Sequence, residues 1–166
     1  MKSRLLTLLI VAAVPLVAQA RPIGIWTYKD LVEKSDLVVV AKVESVADFD
    51  GKVEIPQFAE FLTPQVTKFK VEGVLHGEYN GEVIELVHCR FRNEQIPPNG
   101  PLLAKFESEG RTIRIESGKY KGGLVQEGPP AYLLFLKRRE DGRFEPVAGQ
   151  VDSELSVRKV TSAFGF

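Results

Sequence analysis

The residues best suited to chemistry are the only two histidines, His76 and His88, and the only cysteine, Cys89. Zinc is usually held by three or four such ligands, and Glu85 offers a carboxylate near His88 in the sequence. His88 and Cys89 are neighbours in a strand-like stretch, so their side chains are expected on opposite faces of the strand. They are therefore poorly placed to share one metal, and a cysteine–histidine nucleophilic pair fails for the same reason.

No other motif with known chemistry is present. The sequence has no Gly-x-Ser-x-Gly nucleophile turn, no phosphate-binding glycine loop and no His-Glu-x-x-His zinc motif. Its 22 acidic residues are spread over the chain as on any soluble surface. We therefore expect a protein that is not an enzyme, with no catalytic residue, metal or cofactor. The simplest interpretation places His76 in a turn, His88 on a solvent-facing strand surface, and Cys89 in the core.

Three aromatic residues are the candidates for an interaction surface: Trp26, Phe58 and Phe61. Phe58 and Phe61 lie in a long stretch without clear periodicity, residues 47–66, and Trp26 precedes the first predicted helix. Aromatic side chains are favoured at interfaces, so together they predict a recognition surface. The more usual role of such residues is to clamp a loop onto its domain.

Alternation of apolar and polar residues predicts the elements that must position these candidates, one helix and several strands. Thr27 followed by Asp30 is a variant of the capping box and predicts a helix over 27–35. Gly73 interrupts an alternating stretch and predicts a bulge or bend. The predicted strands are 37–46, 67–72, 82–91, 111–116, 131–137 and 143–147, the last an edge strand because it contains Pro146.

The remaining segments are two long irregular regions and an ambiguous end. Residues 47–66 and 92–110 contain prolines and no regular pattern, and long loops in compact domains are often functional. Asp141-Gly142 is a hairpin turn signal, whereas 151–160 fits either a helical turn or a strand. Five or six strands with one short helix predict a mainly β fold. We expect a small OB-like antiparallel barrel, with a sandwich of two sheets as the alternative.

The order of elements resembles the OB-fold barrels of the tissue-inhibitor-of-metalloproteinase and netrin-module superfamily. The segments that carry the resemblance are the helix leading into 35–43, then 69–77, then 132–136. Barrels of this kind commonly bind their ligands through loops and one face of the sheet. Inhibitors of that superfamily chelate zinc through a disulfide-bonded cysteine at the mature N-terminus. The mature chain here is expected to begin Arg21-Pro22, so no inhibitory residue carries over.

The first 20 residues have the three parts of a secretory signal. Lys2 and Arg4 precede a short uncharged apolar run, and Ala18-Gln19-Ala20 forms a small-x-small cleavage site. The run is shorter than a membrane span and contains Pro15. Residues 1–20 are therefore predicted to be a signal peptide, which leaves one domain over 21–166 in the periplasm or outside the cell.

The charge of the remaining 146 residues limits the choice of partner. They carry 20 basic and 22 acidic side chains, a net charge near −2, which does not favour nucleic acid or anionic lipid. The run 137–141 has three basic residues before two acidic ones and suggests a solvated turn or a weak anion or polysaccharide contact. We expect an exported binding module for an envelope protein or glycan. The alternatives are a metal-dependent or hydrolytic enzyme and a structural subunit of an envelope assembly.

Overall fold

The structure is a computed structural model that describes residues 21–55, 58–93, 96–114 and 124–160. The predicted signal peptide, residues 1–20, lies outside the described residues. The elements are α1 (Tyr28–Lys34), β1 (Leu37–Asp48), β2 (Leu62–His76), β3 (Val83–Phe91), β4 (Arg111–Arg114), β5 (Leu124–Glu127), β6 (Ala131–Arg138), β7 (Phe144–Pro146), a 3-10 helix (Ser153–Ser156) and β8 (Val157–Val160).

Five strands close into a barrel in the order β1-β2-β3-β7-β6 and back to β1. All neighbours are antiparallel except β3 and β7, which pair in parallel at Leu86 and Phe144. Strand β8 pairs antiparallel with residues 131–134 of β6, outside the closed ring of five strands. Strands β4 and β5 form a separate two-stranded ribbon. The mainly β, OB-like barrel with one short helix is confirmed, and the chain does not form the alternative sandwich.

The helix forms where the capping pattern predicted it. The hydroxyl of Thr27 accepts a hydrogen bond from the backbone N–H of Asp30, whose carboxylate accepts one from the backbone N–H of Thr27. Leu31 is fully buried and packs with Val38 and Phe135 on the outer surface of β1 and β6. The helix therefore covers one side of the barrel wall.

The barrel interior is apolar and tightly closed. Buried side chains from all five barrel strands meet there, and Phe106 packs against them from the irregular segment before β4. The ring of Phe106 meets those of Phe69 and Tyr132 edge to face, with centroids 4.9 and 5.2 Å apart. The backbone N–H of Glu107 also donates to the Tyr132 hydroxyl at 2.8 Å. The segment 102–107 is thus held over one end of the barrel.

The β1–β2–β3 sheet continues past the closed part of the barrel. Pairing between β1 and β6 ends at Lys42 with Ala131, whereas pairing between β1 and β2 runs on to Asp48 with Gln65. Residues 62–66 therefore belong to β2, so the interpretation of all of 47–66 as an irregular excursion was wrong at both ends. Regular pairing accommodates Pro64 because its carbonyl still accepts from the N–H of Phe49.

Two other expectations about strands are settled by the pairing. At Gly73 the register of β2 slips, since Val40 pairs with Gly73 and Ala41 with Val71, so the predicted bulge is confirmed. Strand β7 is not an edge strand, because it lies between β3 and β6. Pro146 is tolerated there because it is the last residue of β7, and the next N–H, of Val147, donates to Phe135.

Within the described part of the chain, no helix is long and apolar enough to cross a bilayer.

Candidate functional site

The inner face of β2 and β3 becomes a polar surface where the sheet leaves the barrel. Thr63 lies opposite Arg90, and Gln65 lies opposite His88. The backbone N–H of Arg92 donates to the carbonyl of Phe61 at 2.8 Å, which adds one more rung to the ladder. Opposed residues of an antiparallel pair share a face, as do alternate residues of a strand. We call the resulting surface the β2–β3 platform; it consists of Asp48, Phe61, Thr63, Gln65, Arg90 and Arg92.

Half-exposed side chains keep the platform open to solvent. The side chain of Arg90 is 42% exposed and meets the carboxylate of Asp48, which is 67% exposed, at 3.4 Å. Thr63 and Gln65 are partly buried between these charges and the barrel. The next inward residue on the same face is Thr67, which is fully buried, so the platform is continuous with the inner wall of the barrel.

A shallow depression of about 170 Å³ lies at the outer end of the platform. It is lined by Glu60, Phe61, Arg92 and Asn93. A guanidinium N–H of Arg92 donates to the carbonyl of Leu62 at 3.3 Å. No other described residue forms an ion pair with Glu60 or Arg92, so both charges can meet a ligand. The depression thus offers an aromatic edge, a cation, a carboxylate and an amide within one small area.

Phe58 is placed by the fold as a clamp. It packs in a cluster with Leu62, Cys89 and Leu103 on the outer face of β2 and β3. Its backbone has φ 64°, in the left-handed region that a bulky residue rarely adopts. Its carbonyl accepts from the N–H of Phe61 at 2.9 Å. Phe58 therefore fixes the turn that presents Phe61, which lies on the opposite face of the sheet.

Trp26 lies apart from this group. It packs against the helix cluster of Leu31, Val38 and Phe135, with the ammonium of Lys34 4.6 Å from its ring centroid. The three aromatic candidates therefore belong to three environments: Phe61 to the platform, Phe58 to the outer cluster under the loop, and Trp26 to the helix.

His88 is buried, so the expectation of a solvent-facing His88 was wrong. Its side chain is 3% exposed, its Nε2 lies 2.7 Å from the hydroxyl of Thr67, and the Phe106 ring covers it at 5.0 Å between centroids. Its Nδ1 is buried without a hydrogen-bond partner. Burial lowers the pKa of His88 to about 4, and the backbone of Cys89 opposes this shift only in part. The imidazole is neutral at physiological pH.

The other candidates for nucleophilic or metal chemistry are separated from His88. Cys89 is fully buried on the outer face, and burial raises the pKa of its thiol to about 11. His76 is exposed at the end of β2. Glu85 is held by Arg143 at 2.8 Å and by Lys68 at 3.4 Å, and the Arg143 hydrogen bond lowers its pKa. Within the described residues no three His, Cys, Asp or Glu side chains are grouped to hold a metal.

The basic run at the β6–β7 hairpin is largely committed to structure. Arg139 contacts the carboxylates of Glu145 at 3.2 Å and Asp141 at 3.4 Å and donates to the carbonyl of Lys52. The guanidinium of Arg138 lies 4.8 Å from the ring centroid of Phe144. This pairing favours the interpretation as a solvated, self-neutralised turn.

Sequence reasoning singled out Phe61 as a candidate but did not single out the polar residues that the fold places beside it: Thr63, Gln65, Arg90 and Arg92. A signal was present, because polar Thr63 and Gln65 alternate with apolar neighbours over 62–66. Pro64 within that stretch favoured a loop. Only the pairing register of β2 and β3 places Arg90 opposite Thr63 and Arg92 opposite Phe61.

No protein-family model matches the chain, and comparison with curated proteins and with solved structures gave no match. The resemblance to the tissue-inhibitor-of-metalloproteinase and netrin-module superfamily stays a prediction.

Proposed function

We propose that this protein is an exported, non-catalytic binding module that contacts its ligand through the β2–β3 platform. The observation that carries the proposal is the row of solvent-accessible polar groups beside Phe61, at the rim of a closed barrel, where Glu60 and Arg92 form no ion pair with another described residue. Ligand sites commonly combine an aromatic surface with a few polar groups on a rigid scaffold. Five-stranded OB barrels often bind through this same pair of strands, and that support is an analogy of fold.

Two features of the chain support this role over catalysis. The buried thiol of Cys89 and the neutral, covered imidazole of His88 are poor nucleophile and base at neutral pH. The predicted signal peptide over 1–20 supports a ligand of the cell envelope or its surroundings.

A capture experiment tests the proposal. The purified protein is immobilised and exposed to envelope extract, and retained protein and retained polysaccharide are measured separately. The double variant Phe61→Ala/Arg92→Ala removes one aromatic ring and one cation from the platform. The matched control Tyr28→Ala/Lys29→Ala removes the same two kinds of group from the helix, where Tyr28 is 60% exposed and the Lys29 side chain 80% exposed.

We expect the platform variant to retain far less envelope material than the wild type, and the helix variant to retain as much. Circular dichroism and urea midpoints show whether both variants are folded. Equal retention by the platform variant and the wild type contradicts the proposal, because the ligand then binds elsewhere or not at all.

A further inference from the structure

The charges of the platform and of the depression at its outer end balance when taken together, and the balance restricts the ligand. Arg90 and Arg92 supply two positive charges, while Asp48 and Glu60 supply two negative ones. Of these four side chains, only Arg90 and Asp48 form an ion pair with a described residue, and they pair with each other. An anionic polymer attracted to Arg92 would be repelled by Glu60, and a cationic polymer attracted to Glu60 would be repelled by Arg92. A charged ligand therefore gains little net attraction from this surface.

The polar groups around the depression, which form no ion pair with another described residue, match a ligand rich in hydroxyls. The Arg92 guanidinium is a donor, the Glu60 carboxylate is an acceptor, and the Asn93 amide is both. A hydroxyl group can donate and accept, so a polyol satisfies all three groups without carrying charge. The half-buried ring of Phe61 provides an apolar surface for the C–H face of a sugar ring.

The length of the platform sets the size of the ligand. Phe61, Thr63 and Gln65 are spaced by two residues along β2, which corresponds to about 7 Å per step and about 14 Å in all. His88 and Phe106 close the inner end, where the barrel begins. The span fits two or three linked sugar rings lying along the strand.

We infer that the ligand is an uncharged oligosaccharide segment of two or three rings, with one ring against Phe61 and its hydroxyls shared between Glu60, Arg92 and Asn93. This inference rests on the proposed function, since it names the ligand class of the same platform. It requires no bond making or breaking, because each contact is a hydrogen bond or an apolar contact.

Titration of the purified full chain with defined trisaccharides tests the inference. Maltotriose, mannotriose and the N-acetylglucosamine trimer are the neutral probes; a galacturonic acid trimer is the anionic probe and a glucosamine trimer the cationic one. Binding is followed by calorimetry at about 50 and about 300 mM salt, because screening separates charge-driven from neutral recognition.

At least one neutral trimer is expected to bind at least about tenfold more tightly than either charged trimer. Its Kd should change less than about twofold between the two salt concentrations. Phe61→Ala and Arg92→Ala should each weaken the binding of that trimer about tenfold or more. Phe61→Trp should bind it more tightly than Phe61→Ala does, which a merely structural role of Phe61 does not predict.

Three results overturn the inference: tighter binding of a charged trimer, a steep salt dependence, or no binding of any neutral trimer. If the neutral trimers fail while the platform variant still loses envelope material, the ligand class is wrong and the binding site stands. If the platform variant keeps its envelope material, the proposed function itself fails.

Discussion

Acid should destabilise this protein through one buried side chain, His88. The unfolded chain binds a proton at His88 with a pKa of 6.5, whereas burial lowers the pKa of the folded state to about 4. Below 6.5 the unfolded state therefore takes up the proton first, and stability is lost as the pH falls from 6.5 towards 4. One pKa unit corresponds to about 1.4 kcal/mol, so the full pKa shift of His88 contributes about 3 kcal/mol to the free energy of unfolding. About 2 kcal/mol of it is lost between pH 8 and pH 5.

Urea unfolding at pH 8 and pH 5 measures this loss in the wild type and in His88→Gln, which keeps a polar group near Thr67 but does not titrate. The wild type should lose about 2 kcal/mol more than His88→Gln over this interval. His76→Gln, which removes the exposed histidine, is the matched control and should behave like the wild type. If His88→Gln proves unfolded, an NMR titration of the wild-type imidazole gives the same answer. Equal pH dependence in wild type and His88→Gln, or an imidazole that titrates above pH 6, refutes the reasoning.

Three further predictions concern the stability of the barrel. Gly77→Ala should lower the free energy of unfolding by about 2 kcal/mol or more. The backbone φ of Gly77 is +81°, and the added Cβ would collide with the carbonyl oxygen of Asp36. Gly73→Ala should change the free energy of unfolding by less than about 1 kcal/mol, because its added Cβ meets nothing within 4 Å. Equal losses in the two urea curves would contradict at least one of these two expectations. Phe106→Ala should lower the free energy of unfolding by about 3 kcal/mol and speed hydrogen exchange near His88, whereas Phe106→Leu should lower it less. Unchanged hydrogen exchange in Phe106→Ala would show that Phe106 does not cover the end of the barrel.

The barrel could be predicted from the sequence because its strands alternate clearly. The stretches around Val39, Phe69 and Leu134 each carry a two-residue period or a buried apolar run, and the helix carries its own cap at Thr27. A strand over 143–147 was predicted, but its place in the barrel was not, because so short a strand with a terminal proline does not indicate its neighbours. Its place between β3 and β6 is decided by the hairpin at Gly142, φ +83°, and by contact with Leu86.

The burial of His88 could not be predicted for a related reason. The alternation of β3 places Val87, Cys89 and Phe91 on one apolar face, which predicts that His88 and Arg90 face solvent. In the fold both faces are covered near the barrel: the outer one by the segment around Phe58, the inner one by Phe106. Only the segment 102–107, which has no periodicity, decides where burial ends and the platform begins.

The prediction of Phe61 as a binding residue stays a prediction, and its expected neighbours have changed. Grouping it with Trp26 and Phe58 assumed one aromatic surface, and the fold distributes the three rings over different environments. The groups beside Phe61 come instead from β3 and from the polar residues of β2. Such partners are set by the strand register, which the sequence alone does not specify.

Site-specific photo-crosslinking in the producing cell tests the central claim most directly. A photoreactive phenylalanine analogue is placed at Thr63 on the platform or at Leu75, a 65% exposed position on the same strand at the other end of the barrel. We predict a crosslinked product with envelope material from position 63 that is absent or much weaker from position 75. Crosslinking of equal strength at both positions, or from position 75 alone, would contradict a ligand site on the β2–β3 platform.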